Sequence, residues 1–148
     1  MDPRKKGTFT FRTAAVFFIL SAIFELVSLP VEVPLFGAVR GGLVAGAYHF
    51  IYAALFMAVG VSLWGAKHWG YPAVLVATIY YTFDKLQVLL SREMVADYLM
   101  QQLEAQEATF QITDKEFLLQ TMTLLSILSI ACWWGFAWYT HVRRDYFR

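Results

Sequence analysis

Four apolar stretches, each about 20 residues long and parted by short polar or glycine-rich breaks, limit what this chain can fold into more than any other feature. A helix rises about 1.5 Å per residue, so 20 residues cover the roughly 30 Å of a bilayer's hydrocarbon core. Unsatisfied backbone groups cost several kcal/mol in lipid, and no stretch alternates as the strands of a barrel would, so each is predicted to be a helix. The chain is 59% hydrophobic, against roughly 45–50% in soluble domains. At 148 residues it is too small to hide that surface from water.

The expected fold is all-α: an integral membrane, antiparallel four-helix bundle running up-down-up-down, forming a single transmembrane domain over residues 1–148. Its helices are placed at about 9–29, 43–64, 72–108 and 114–140, with outer loops at 30–42 and 109–113 and a short cytoplasmic turn at 65–71. Pro30, Pro34, Gly37, Gly41 and Gly42 argue against helix between the first two spans. Pro72 suits the first turn of the third. Beyond Leu90 the third helix becomes amphipathic, with Val95, Leu99 and Leu103 spaced by four among Glu93, Asp97, Gln101, Gln102 and Glu104. That pattern predicts an extension of helix three outside the membrane. Thr113, Asp114, Lys115 and Glu116 read as a capping box for the fourth helix. Arg4, Lys5 and Lys6 precede an apolar stretch with no small-residue cleavage site, so the first helix is expected to be retained.

Lysine and arginine set the orientation, because cytoplasmic segments are enriched in them. Arg4, Lys5, Lys6, Arg12, Lys67, Arg143, Arg144 and Arg148 fall on one side, and Arg40, Arg92 and Lys115 on the other. Both termini are therefore expected in the cytoplasm, with the protein integral to a plasma or inner membrane. Trp64, Trp69, Tyr71, Trp138 and Tyr139 then form an aromatic belt at the cytoplasmic interface.

Charged groups inside spans are costly, about 2.5–3.5 kcal/mol at the centre on insertion scales, so each needs a reason. Glu25 lies 13 residues beyond Arg12, His49 lies 15 before Trp64 and Asp84 lies 12 beyond Pro72. At about 1.5 Å per residue all three sit roughly 18–23 Å from the cytoplasmic ends. Ser126 of the fourth helix falls at the same depth. Helical periodicity places each group on the face expected to point inward, and Gly42, Gly46, His49, Ala53 and Gly60 make a mostly small-residue stripe on helix two. The candidate layer for a ligand, proton or metal is therefore Glu25, His49, Asp84, Lys85, Tyr52, Tyr81 and Ser126. Tyr52 follows His49 by three residues and is expected to orient its ring. Asp84 and Lys85 are adjacent and point about 100° apart, so Lys85 is expected to reach toward Glu25 or toward the outer interface.

Imidazole with carboxylates suits zinc, iron or manganese, but no HExxH or ExxH spacing is present, and one histidine at this depth leaves axial haem ligation open as well. A carboxylate in hydrocarbon is least costly when neutral, and so can trade a proton for a cation. A pocket for a quinone, pigment or lipid is a further reading, and the sequence names no cofactor. The lone Cys132 excludes an internal disulfide or a CxxC pair. Ser126 has no evident base, which leaves no activated nucleophile and points away from an enzyme.

Four short helices with a carboxylate in the first, at Glu25, resemble the small multidrug resistance exporters. The chain departs from them in its length, in the ionisable groups on helices two and three, and in its acidic outer loop, so the likeness is confined to architecture and one residue. Two functional expectations follow. The leading one is a small accessory or scaffolding protein, including a subunit of a larger bioenergetic or transport complex. The alternative is a proton-coupled or cation- or small-ligand-binding membrane protein using the Glu/His/Asp layer. Expected partners are the lipid bilayer and proteins docking on the outer loop 92–116, an acidic amphipathic surface. A net charge of +1 gives no sign of nucleic acid.

Overall fold

The structure, a computed structural model, describes residues 7–105 and 115–147. It is nearly all helical: α1 Thr8–Val27, α2 Gly42–Trp64, α3 Gly70–Leu90, α4 Arg92–Ala105 and α5 Lys115–Val142, with a closing 3₁₀ turn over Arg144–Phe147. α1, α2, α3 and α5 are each long and apolar enough to cross a membrane. Thr113 and Asp114, and with them half of the expected capping box, lie outside the described residues, as do the N-terminal Arg4, Lys5 and Lys6 and the loop 109–113.

Two differences from the sequence expectation bear on function. First, the loop 30–42 is not wholly irregular: Val33–Leu35 (β1) and Ala38–Arg40 (β2) pair antiparallel, with Pro34 opposite Val39. Phe36 and Gly37 turn the chain with φ of 49° and 73°, the left-handed pair that a tight two-residue hairpin needs. Pairs alternate in such a hairpin, so Pro34 falls at a non-hydrogen-bonded position where its missing N–H costs nothing. Its carbonyl faces outward and is free for another partner.

Second, the expected extension of helix three is a separate helix. α3 stops at Leu90 and α4 begins at Arg92, with Ser91 between them at φ −111°, ψ 24°. The Ser91 hydroxyl donates to the Gln87 carbonyl at 2.6 Å, competing with the backbone for that acceptor and bending the chain there. α4 then lies against α5, and Lys115 and Asp97 form an exposed ion pair across the contact.

α1 packs along α2, α2 along α3, and α3 along α5. The small-residue stripe serves the first of these contacts. A Cβ on Gly60 would stand 2.7 Å from Ile19 Cγ1 and 3.1 Å from the Ala15 carbonyl, so only glycine permits that approach. α1 meets α5 through rings: Phe18 lies 5.3 Å from Trp133 and 5.8 Å from Phe136.

The tightest core gathers at the end of the helices nearest residues 66–70. Phe11, Ala15, Val59, Leu63, Val74, Ala77 and Ala137 are buried there together with Tyr146 and Phe147 of the 3₁₀ turn. Tyr146 stacks on Phe11 at 4.5 Å and donates its hydroxyl proton to the Leu63 carbonyl at 3.0 Å, satisfying a C-terminal acceptor of α2. Burial pushes the Tyr146 hydroxyl's pKa up, opposed by Arg12, so it stays a neutral donor. Phe147 lies against Gly70, where a Cβ would stand 2.6 Å from its ring.

Candidate functional site

α2 carries the centre of the polar layer on two adjacent residues that face different neighbours. His49 is buried, and its Nδ1 lies 2.7 Å from Glu25 Oε2 on α1. Its Nε2 lies 3.1 Å from the Val31 carbonyl, just before β1. A carbonyl only accepts, so Nε2 carries a proton and donates it. The Nδ1–Oε2 contact then holds one proton, either as imidazolium with carboxylate or as imidazole with carboxylic acid. The pair is neutral in both forms, and 2.7 Å is the length of a charge-assisted bond.

Tyr48, one residue earlier, faces α3. Its hydroxyl donates to Asp84 Oδ1 at 3.0 Å, and Asp84 is buried, with 6% of its surface exposed. Lys85 does not turn toward Glu25 or the outer interface as expected. Its Nζ folds back to 3.4 Å from Asp84 Oδ2 and lies 5.1 Å from the centre of the Tyr81 ring. A stem of four methylenes bridges the 100° between neighbouring positions, and the ring face offers the ammonium a second attraction. The contact is an ion pair without hydrogen-bond geometry: among the described residues, Asp84 Oδ2 and the Tyr52 hydroxyl are buried with no hydrogen-bond partner.

The remaining expected members divide. Tyr52 does not hydrogen-bond His49. Its ring packs between Tyr48 at 4.9 Å, Tyr80 at 5.2 Å and Phe56 at 5.5 Å, so the Val31 carbonyl and Glu25 orient the imidazole instead. Tyr81 stacks on Trp133 of α5 at 5.2 Å. Ser126 is buried on α5, but no hydrogen bond ties it to the other six among the described residues. Glu25, His49 and Asp84 thus occupy one level as two separate pairs, bridged by the Tyr48–His49 backbone rather than by direct contact of all three. Among the described residues, no group of three or more His, Cys, Asp or Glu side chains is placed to hold a metal ion.

Two residues of this region escaped sequence reasoning. Tyr48 reads there as one more aromatic in an apolar span, and no signal marks it as the link to Asp84. Gln87 lies on the inward stripe of α3, yet its role is to hold the hairpin: the Phe36 N–H donates to Oε1 at 2.9 Å, and Nε2 donates to the Pro34 carbonyl at 3.1 Å. The outward-facing Pro34 carbonyl finds its partner here. His49 through Val31, and Gln87 through Pro34 and Phe36, therefore fasten the hairpin over the start of α2 and the end of α3.

No protein-family model, curated protein or solved structure matches this chain.

Proposed function

We propose that this chain is an integral membrane protein whose four long helices form an up-down-up-down antiparallel bundle, and whose polar layer holds a proton that it exchanges for a cation or small ligand. The observation that supports this most is the 2.7 Å contact between Glu25 Oε2 and His49 Nδ1, which takes one proton between them. Both lie on apolar helices of membrane-spanning length, where ionisable residues mark proton or substrate pathways more often than structure alone requires. A cation entering beside Glu25 would restore neutrality by displacing that proton. The membrane setting is supported by large apolar side chains facing outward on all four helices, among them Phe17, Phe50, Phe83 and Leu124. Hydrocarbon accommodates such a surface and water does not.

The excess of lysine and arginine in both tails and in the turn after α2 supports cytoplasmic termini in a plasma or inner membrane. Single cysteines placed in each tail of a Cys132→Ser background are expected to react with an impermeant thiol reagent from the same face. Labelling from opposite faces would overturn the topology.

The proton reading is tested by titrating the purified protein in weakly buffered micelles with a monovalent or divalent cation and following the protons released. Release is expected from the wild type and is expected to be lost in Glu25→Gln. No release from the wild type, or equal release from the variant, would sink the reading.

One observation favours the accessory reading, in which the protein is a scaffolding subunit of a larger bioenergetic or transport complex. In α5 only 6% of the apolar window is buried, against 17% to 33% in the other three spans, which leaves most of that helix for lipid or for a partner's helix. The acidic α4 segment would then supply the partner's outer contact.

A further inference from the structure

A cleft of about 360 Å³ opens between α2, α3 and the hairpin, and it is distinct from the Glu25–His49 contact. Its outer walls are Phe36, Val44, Ile51 and Phe83, all side chains that face outward from the protein. At its inner end are Tyr48 and Asp84. The walls are otherwise mostly apolar, so the hydroxyl–carboxylate pair is the strongest polar feature that an occupant meets.

The chemistry of that pair selects the occupant. Tyr48 has already donated its proton to Asp84 Oδ1, so the phenol oxygen and the carboxylate offer lone pairs and no free proton. Two further polar side chains line the cleft: Gln87 is engaged at both its oxygen and its nitrogen by the hairpin, and Tyr80 brings a hydroxyl that can donate as well as accept. The Tyr48–Asp84 pair therefore accepts hydrogen bonds, and a molecule that can donate one is favoured there over a molecule that cannot; a hydroxyl, which also accepts, suits Tyr80 as well. Charge argues further. Asp84 is balanced by Lys85, so this half of the layer carries no net charge for an added cation to neutralise. A charged head would be desolvated among apolar walls without compensation.

We propose that this cleft binds a neutral single-chain amphiphile, a long-chain alcohol, entering sideways from the lipid with its hydroxyl donating to the Tyr48–Asp84 pair. At about 30 Å³ per small group, 360 Å³ takes roughly a dozen non-hydrogen atoms, the size of decanol. The assignment rests on the membrane reading above and names the ligand class for the Asp84 half of the layer. It does not depend on the proton held by Glu25 and His49.

The test is photolabelling of the full chain in lipid nanodiscs with a diazirine-bearing decanol, followed by peptide mapping. Label is expected on the segments 35–51 and 80–87, and excess decanol should reduce it at least tenfold where decane or decyltrimethylammonium does not. Ala47→Phe, which fills the cleft from its wall, is expected to lower the label at these segments to the level of the other lipid-facing helices. Asp84→Asn is expected to weaken decanol competition severalfold while the chain remains folded by circular dichroism. Label spread evenly over all spans, or competition by decane equal to that by decanol, would overturn the assignment. Stronger competition by decyltrimethylammonium would overturn the neutral head in favour of a cation. Because the readout is labelling, it can fail while the cation titration of proton release succeeds, and the reverse.

Discussion

His49→Ala is expected to destabilise the protein by about 3 kcal/mol, because it leaves the Glu25 carboxylate without its partner inside an apolar assembly. That is the low end of the cost of breaking a buried ion pair, chosen because a quarter of the Glu25 side chain remains exposed. Alanine also releases the Val31 carbonyl, so the hairpin loses one of its two fastenings. Glu25→Gln should cost only about 1 kcal/mol, since the amide N–H can donate to Nδ1 of a neutral imidazole while Nε2 keeps the Val31 carbonyl, so a hydrogen bond survives without the charge. Unfolding in mixed micelles by rising fractions of sodium dodecyl sulfate measures both. A loss in Glu25→Gln equal to that in His49→Ala would show that the amide does not stand in for the carboxylate.

Gly60→Leu should have an effect of comparable size by a different route. The new Cβ would meet Ile19 at 2.7 Å and the Ala15 carbonyl at 3.1 Å. The side chain of Ile19 can turn aside, but the carbonyl belongs to the α1 backbone and cannot yield unless the helix moves. Overpacking of this kind costs about 1–3 kcal/mol and occasionally more, and here it also separates the two helices that carry Glu25 and His49. Spin labels at the Val27 end of α1 and the Gly42 end of α2 are expected to move apart by several ångströms. Gly135→Leu is the control, since a Cβ there meets nothing within 4 Å and should leave both distance and stability unchanged. If the two substitutions behave alike, the close approach of α1 and α2 is not what holds the layer together.

Much of this was legible in the sequence because it depends on period and length. Hydropathy marks the four long helices, and a rise of 1.5 Å per residue is enough to put Glu25 opposite His49. What depends on side-chain reach or on a single backbone angle was not legible. Lys85 is long enough to fold back on Asp84, so helical phase alone misdirected it. The hairpin was hidden because its strands have three residues each and its turn opens on Phe36, where a left-handed φ is usually announced by asparagine or glycine. The break at Ser91 left no trace because the four-residue apolar spacing of Val95, Leu99 and Leu103 begins directly beyond it and reads as the same helix carried on. Tyr48 was passed over for a related reason: an aromatic residue in an apolar span carries no mark of the carboxylate it will meet.

That Tyr48 and His49 are consecutive has a mechanical result. Their side chains leave α2 about 100° apart and are gripped by carboxylates on opposite flanks, Asp84 of α3 and Glu25 of α1. Any roll of α2 about its long axis that slackens one grip strains the other, so the two anchors fix its azimuth as opposed guy-ropes fix a mast. A molecule that tugs on the phenol would therefore be felt at the imidazole without ever touching it.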